Sequence, residues 1–486
     1  VNQPHKRRAR PAGNRPPRGR SGPARPPADD PARQAALDVL HAVRTRAAYA
    51  NLVLPDMLAQ RGISGRDAAL ATELAYGACR AQGLLDEILA ACSDRSLDEI
   101  DGSALDGLRL GSYQLLRTRI PEHAAVASTV DLVRTAAGSR IAGFVNAVLR
   151  RVAERDEQAW LAKLAPDETA DPIGYHALRH AHPRWIARSF AEALGDKGEE
   201  LAAALAADDA RPHVHLTARP GELSADELAA ATGGEVAPYA PYGVRLDTGG
   251  DPGKLVPVQD RLAIVQDEGS QLCALALTRV ELAGADARWL DLCAGPGGKS
   301  VLLGALAELA GAELDAVEKA PHRAKLVREA CGELPVTVHE VDGTASGLPA
   351  GSFDRVLVDA PCTGLGALRR RPEARWRRQP SDVGELTKLQ RALLMAAMDL
   401  VRPGGVVAYV VCSPHLAETT GVVTDVLRRT GARLLNTRDY FPGVPALGND
   451  SLTAGNSSGH GNSVQLWPHR HGTDAMFCAL LERPSA

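Results

Sequence analysis

Apolar positions change their period twice along this chain of 486 residues. From about residue 31 they recur at helical spacing, as in Ala35-Ala36-Leu37-Asp38-Val39-Leu40-His41-Ala42-Val43. The same spacing predicts helices over 52–60, 66–81, 84–91, 104–118, 123–136 and 143–154. Strand-like alternation is absent, so residues 31–160 read as an all-helical domain. A helical stretch over 175–207 leads into a mixed region. There Val214-His215-Leu216-Thr217 and Val244-Arg245-Leu246 read as short strands around a helix at 225–232. This predicts a small α+β subdomain spanning 170–255.

From residue 256 to 486 strand and helix patterns alternate. Strands are expected at 288–293, 313–318, 336–341, 353–358, 406–411 and 476–481. Helices are expected at 298–310, 321–331, 386–401 and 415–430. Pro321 opens the second helix, and Pro403-Gly404-Gly405 reads as a turn. The alternation predicts a doubly wound α/β sheet. The Gly/Asn/Ser-rich run 448–463 reads as a mobile loop. The fold class is therefore multidomain: all-α, then small α+β, then α/β.

Composition adds a tail and a compartment. Residues 1–30 carry Lys6, Arg7, Arg8, Arg10, Arg15, Arg18, Arg20 and Arg25 among prolines and glycines. Such a segment cannot bury enough surface to offset its ordering entropy, so a disordered basic tail is expected. It would serve either as an RNA-affinity arm or as a dispensable solvated end. No apolar run approaches membrane-span length and no apolar signal segment follows the N-terminus, which makes the cytoplasm the expected compartment. The eight cysteines form no C-x-x-C pair and no zinc-spaced cluster, so reduced thiols and no metal are expected.

The first strand of the sheet runs into Cys293-Ala294-Gly295-Pro296-Gly297-Gly298-Lys299-Ser300. A P-loop would need glycine at 293, and a dinucleotide fingerprint would need it at 300; cysteine and serine stand there instead. S-adenosylmethionine remains. Its methionine part needs close backbone approach, which glycines permit. Glu318, after the second strand, is placed to accept from a ribose hydroxyl. Asp342, after the third, is placed to accept from the adenine amine.

Two cysteines follow strand ends that should face one cleft: Cys362 in Asp359-Ala360-Pro361-Cys362, and Cys412 in Val411-Cys412-Ser413. A single cysteine usually reads as a small buried hydrophobe. That reading fits Cys79, Cys92, Cys273, Cys293, Cys331 and Cys478. A cofactor turn with two thiols suits methylation of a carbon that is not itself nucleophilic, such as cytosine C5. A thiolate adds to C6, C5 takes the methyl, a base removes the C5 proton, and the thiol leaves. Asp359 is placed to hydrogen-bond the ring. The residues alone leave open which cysteine attacks. Arg369, Arg370, Arg371, Arg375, Arg377 and Arg378, with Trp376 among them, are expected to clamp RNA phosphates. The alternative is pairing with acids elsewhere in the chain.

The motifs Asp291-Leu292-Cys293-Ala294-Gly295-Pro296-Gly297-Gly298-Lys299, Asp359-Ala360-Pro361-Cys362-Thr363-Gly364-Leu365-Gly366, Arg370-Arg371-Pro372-Glu373-Ala374-Arg375-Trp376 and Val411-Cys412-Ser413 resemble those of the Fmu/Sun/NOL1/NOP2 family of RNA cytosine-C5 methyltransferases. Val265-Gln266-Asp267-Glu268-Gly269-Ser270 matches the segment before the family's first strand. Thr72-Glu73-Leu74-Ala75-Tyr76-Gly77 and Gly143-Phe144-Val145-Asn146-Ala147-Val148-Leu149-Arg150 resemble a NusB-type RNA-binding domain. Together they resemble the bacterial RsmB-type branch, which acts on 16S rRNA.

The resemblance implies a Rossmann-like catalytic domain over 256–486, Cys412 as nucleophile, Cys362 as the product-releasing thiol and Asp359 beside the base. It implies S-adenosylmethionine against residues 293–299, Glu318, Arg323, Asp342 and Asp359. It further implies a monomer acting on 16S rRNA. A tRNA cytosine-C5 methyltransferase, or a catalytically idle assembly or antitermination factor, are the other readings. Two positions depart from the family: Val410-Val411 precede Cys412 where Ser/Thr-Thr is usual, and Asp474-Ala475-Met476-Phe477 replaces Asp-Gly-Phe-Phe.

Overall fold

The computed structural model describes residues 30–247, 250–447 and 462–485. The expected basic tail lies outside them, as does most of the expected loop at 448–463. Among the described residues no helix is long and apolar enough to cross a membrane.

The N-terminal part is helical: α1 (Pro31–Arg46), α2 (Ala50–Gln60), α3 (Gly65–Cys92), α4 (Gly102–Arg117), α5 (Glu122–Ala137), α6 (Ser139–Val152) and α7 (Glu157–Leu164). Asp30, Asp101 and Asp156 cap α1, α4 and α7 by accepting from first-turn amides. The sequence pattern splits α3 into two helices, but it is one helix of 28 residues. Gly83, which lies between the two expected helices, sits under the Trp376 indole; a Cβ there would stand 2.3 Å from the ring. Gly77 meets the Tyr113 ring in the same way. These glycines admit aromatic rings rather than end a helix.

Three connecting helices follow: α8 (Pro172–Arg179), α9 (Arg184–Leu194) and α10 (Glu199–Asp209). Next come β1 (Val214–Ala218), α11 (Ala225–Thr232), β2 (Glu235–Val236), β3 (Gly243–Leu246), α12 (Val256–Gln259) and β4 (Ala263–Val265). Their strands form one sheet in the order β2-β3-β1-β4. Because β4 joins this sheet, the small subdomain extends past the expected limit at residue 255.

The last part comprises α13 (Glu268–Thr278), β5 (Arg288–Asp291), α14 (Gly298–Ala310), β6 (Glu313–Val317), α15 (Pro321–Cys331), β7 (Val336–His339), β8 (Phe353–Asp359), α16 (Pro380–Leu400), β9 (Val401–Val411), α17 (Thr420–Thr430), β10 (Arg433–Leu434), β11 (Val464–Gln465) and β12 (Phe477–Glu482). The sheet order is β10-β12-β9-β8-β5-β6-β7, with β11 paired to β12. The five strands from β9 to β7 are parallel, and β12 runs antiparallel to β9. Strand order reverses between β5 and β8, where a crevice opens beyond the carboxyl ends of an open α/β sheet. The expected turn at Pro403-Gly404-Gly405 lies within β9, as an irregularity of its pairing with β8. Residues 415–419 precede α17 rather than belong to it. The two faces of the sheet carry separate apolar cores, one under α13 and α14, the other under α16 and α17.

Candidate active site

Every expected site residue in the catalytic part lies at or just beyond the carboxyl end of a parallel strand or on the adjoining helix start. Cys293 to Lys299 follow β5, Glu318 follows β6, Asp342 follows β7, Asp359 ends β8 and Cys412 follows β9. Arg323 lies in the first turn of α15.

Gly295 approaches Glu318 so closely that a Cβ would stand 2.2 Å from its Oε2. The Gly295 amide donates to that oxygen at 3.1 Å, while Ala320 N–H and Arg323 Nη2 donate to Oε1 at 2.8 and 2.9 Å. Glu318 is 3% exposed and held rigidly, with a lone pair remaining on Oε2. Gly297 adopts φ +112°, which a side chain rarely tolerates. Asp342 accepts from Lys319 Nζ and from the Thr344 amide and hydroxyl, which bring its carboxyl down to about 2. Asp291 is fully buried and receives Ser300 Oγ at 2.7 Å; burial pushes its carboxyl up to about 6. The glycine cradle and the row of carboxylates at strand ends suit the cofactor's sulfonium, ribose and adenine.

Lys299 Nζ donates to Asp359 Oδ2 at 2.7 Å. Burial opposes the lysine's charge, but Asp359 outweighs it and holds the ammonium above its ordinary range. Cys362 Sγ and Cys412 Sγ lie 3.4 Å apart and are both half-buried. The contact with Cys412, then burial, keeps Cys362 well above the usual thiol range, so it stays protonated. Beneath both thiols sits Glu418, which the sequence reading passed over: no spacing or composition marks the His415-Leu416-Ala417-Glu418 run. It accepts from Thr363 N–H at 2.8 Å, Gln390 Nε2 at 3.0 Å and Ser413 Oγ at 2.7 Å.

The arginine cluster is a correction. Four of its six members turn inward rather than toward a phosphate backbone. Arg369 and Arg370 pair with Asp267 and Asp474. Arg375 is fully buried between Asp208 and Asp209 and donates to the carbonyls of Arg80 and Ala181. Arg377 donates to the carbonyls of Val43, Ala47 and Ala48 at the end of α1. The Glu373 carboxylate accepts from the Ala50 amide at the start of α2. The segment after Cys362 therefore staples the helical domain to the catalytic sheet. Arg371, exposed, stacks over Tyr49 at 4.8 Å, and Arg378 faces Asp382 at 4.0 Å. Asp474 keeps the first position of the departing motif by binding both arginines, and Gly366 lies against the Ala475 backbone.

A doubly wound sheet with a glycine turn, carboxylates at successive strand ends and an antiparallel last strand defines an S-adenosylmethionine-dependent methyltransferase. Comparison with known proteins narrows this class. The sequence profile of 16S rRNA methyltransferase RsmB/F matches residues 280–482, and that of the NusB family matches residues 30–154. A Mycobacterium tuberculosis protein provisionally named as a methyltransferase is 60% identical over 96% of this chain and 99% of its own length. Ribosomal RNA small subunit methyltransferase B of Pseudomonas putida is 33% identical over 83% of this chain and 91% of its own. The crystal structure of PH0851 superposes with a TM-score of 0.74 at 20% identity, covering 92% of this chain and 98% of that one, a likeness of fold. The chain belongs to the RsmB/F family of 16S rRNA methyltransferases, enzymes that use S-adenosylmethionine.

Proposed function

We propose that this protein methylates carbon 5 of a cytosine in 16S rRNA through a covalent adduct between Cys412 and C6. The observation that carries the reading is the pair of thiols 3.4 Å apart beyond adjacent strands, beside the glycine turn.

The cofactor supplies an electrophilic methyl group. Cys412 Sγ gives an electron pair to C6, and the C5=C6 π pair moves into the ring, making C5 nucleophilic. Asp359, oriented by Lys299, accepts from the cytosine's exocyclic amine, and the Lys299 ammonium beside it offsets the charge that collects on that ring edge. Once C5 carries the methyl, its proton passes to a base. The freed C–H pair restores C5=C6 and expels the Cys412 thiolate. Cys362, which holds its proton, hydrogen-bonds the departing sulfur and so favours release. The target base must leave its stack to reach the thiols, which favours a cytosine in a loop or single strand.

Bisulfite sequencing of rRNA from a deletion strain, with tRNA as control, tests the substrate. One 16S cytosine should lose its methyl mark while tRNA keeps its own. A loss confined to tRNA would overturn the rRNA assignment.

A further inference from the structure

Two loops carry the thiols, and one side chain grips both. Glu418 is fully buried. Its Oε1 accepts from the amide of Thr363, the residue after Cys362, and from Gln390 Nε2. Its Oε2 accepts from Ser413 Oγ, on the residue after Cys412, and from Thr363 Oγ1. Gln390 also donates to the carbonyl of Pro361, the residue before Cys362, at 2.9 Å. The buried Tyr409 hydroxyl donates to the Glu418 carbonyl at 2.6 Å and fixes its backbone to β9.

A buried carboxylate is costly unless its acceptor sites are filled, and here both oxygens are filled by the loops that hold the reacting sulfurs. Van der Waals packing would not set a sulfur–sulfur distance this closely; directed hydrogen bonds on both neighbouring residues do. We propose that Glu418 is a positioning residue: it sets the separation of Cys362 and Cys412, so that Cys362 stands within reach of the Cys412 sulfur as that sulfur leaves C6. The proposal rests on the covalent reading above. Oε1 holds the Cys362 loop through the Thr363 amide, and Oε2 ties the two loops together through the Ser413 and Thr363 hydroxyls. Freeing the Ser413 arm loosens the attacking sulfur, and freeing the Thr363 arm loosens the releasing one.

The test uses the full-length chain with Glu418→Ala, Glu418→Gln, Ser413→Ala and Thr363→Val. Thermal midpoint, S-adenosylmethionine affinity by calorimetry, kcat and KM on a 16S rRNA fragment, and protein–RNA adduct on denaturing gels are measured. Glu418→Ala should lower kcat about 100-fold, the cost of a misplaced reacting group, with cofactor affinity retained. Glu418→Gln should recover most of that loss, because its amide oxygen serves Thr363 N–H and its NH2 serves the two hydroxyls. Ser413→Ala should slow adduct formation, whereas Thr363→Val should prolong the adduct. If Glu418→Ala does not fold, the other three variants carry the test. Wild-type kcat in folded Glu418→Ala, or identical adduct kinetics in Ser413→Ala and Thr363→Val, would overturn the proposal. Full activity in Cys412→Ala would instead remove the covalent reading, a separate result.

Discussion

Cys362 Sγ lies 3.4 Å from Cys412 Sγ, although the residues are 50 positions apart, beyond the ends of neighbouring strands. Each therefore affects the chemistry of the other. Cys412→Ala should abolish methyl transfer. Cys362→Ala should still attack C6 but accumulate a protein–RNA adduct, visible as a slow band on denaturing gels. Adduct in Cys412→Ala would reverse the assignment.

Lys299 orients Asp359 across 2.7 Å. Lys299→Met should lower single-turnover methyl transfer about 100-fold, as expected for loss of a charged group organising the transition state. An unchanged rate would place Asp359's orientation elsewhere.

Gly295→Ala would drive a methyl group into the Glu318 carboxylate, because the added Cβ would stand 2.2 Å from Oε2. Cofactor affinity should fall about tenfold or more, the scale of one lost hydrogen bond to a charged group. Calorimetric titration reads this directly, and an unaltered affinity would exclude Glu318 from the cofactor site.

Asp291 gives a pH dependence whose sign is fixed. Burial raises its carboxyl from the ordinary 3.8 to about 6 in the folded protein. Its contribution to stability is complete below pH 3.8 and is lost as pH rises through about 6. Asp291→Asn should thus gain stability relative to the parent between those limits, by at most about 3 kcal/mol, and the difference should then level off. Thermal melts from pH 4 to 8 measure it, provided both proteins refold.

Arg375 is a structural cation. Its removal leaves Asp208 buried beside His182 without its guanidinium partner. Arg375→Ala should cost about 3–5 kcal/mol, with the helical and catalytic parts melting in separate transitions. The slope of log RNA affinity against log salt should stay unchanged, because this arginine contacts no phosphate. A shallower slope would restore it to the RNA interface.

Much of this protein could be read along the chain. Local periodicity specified the helical domain, the mixed subdomain and the alternating sheet, because helix and strand spacing repeats within a few residues. The glycine turn and the carboxylates at strand ends were legible for the same reason: each is a short run tied to one element. Glu318 and Asp359 stand where those runs placed them. Side-chain direction over long separations was not legible. Arg369 meets Asp267 across 102 residues, and Arg375 meets Asp208 across 167. A run of arginines therefore looked like a nucleic-acid surface until the tertiary fold turned it inward. The continuity of α3 past Gly83, where the Trp376 ring packs, was not legible either. Glu418 carries no local signal, since its partners come from three elements that meet only when β8, β9 and α16 pack together. Local pattern chose the elements and much of the chemistry, while packing decided which charges are buried and how far apart the two thiols stand.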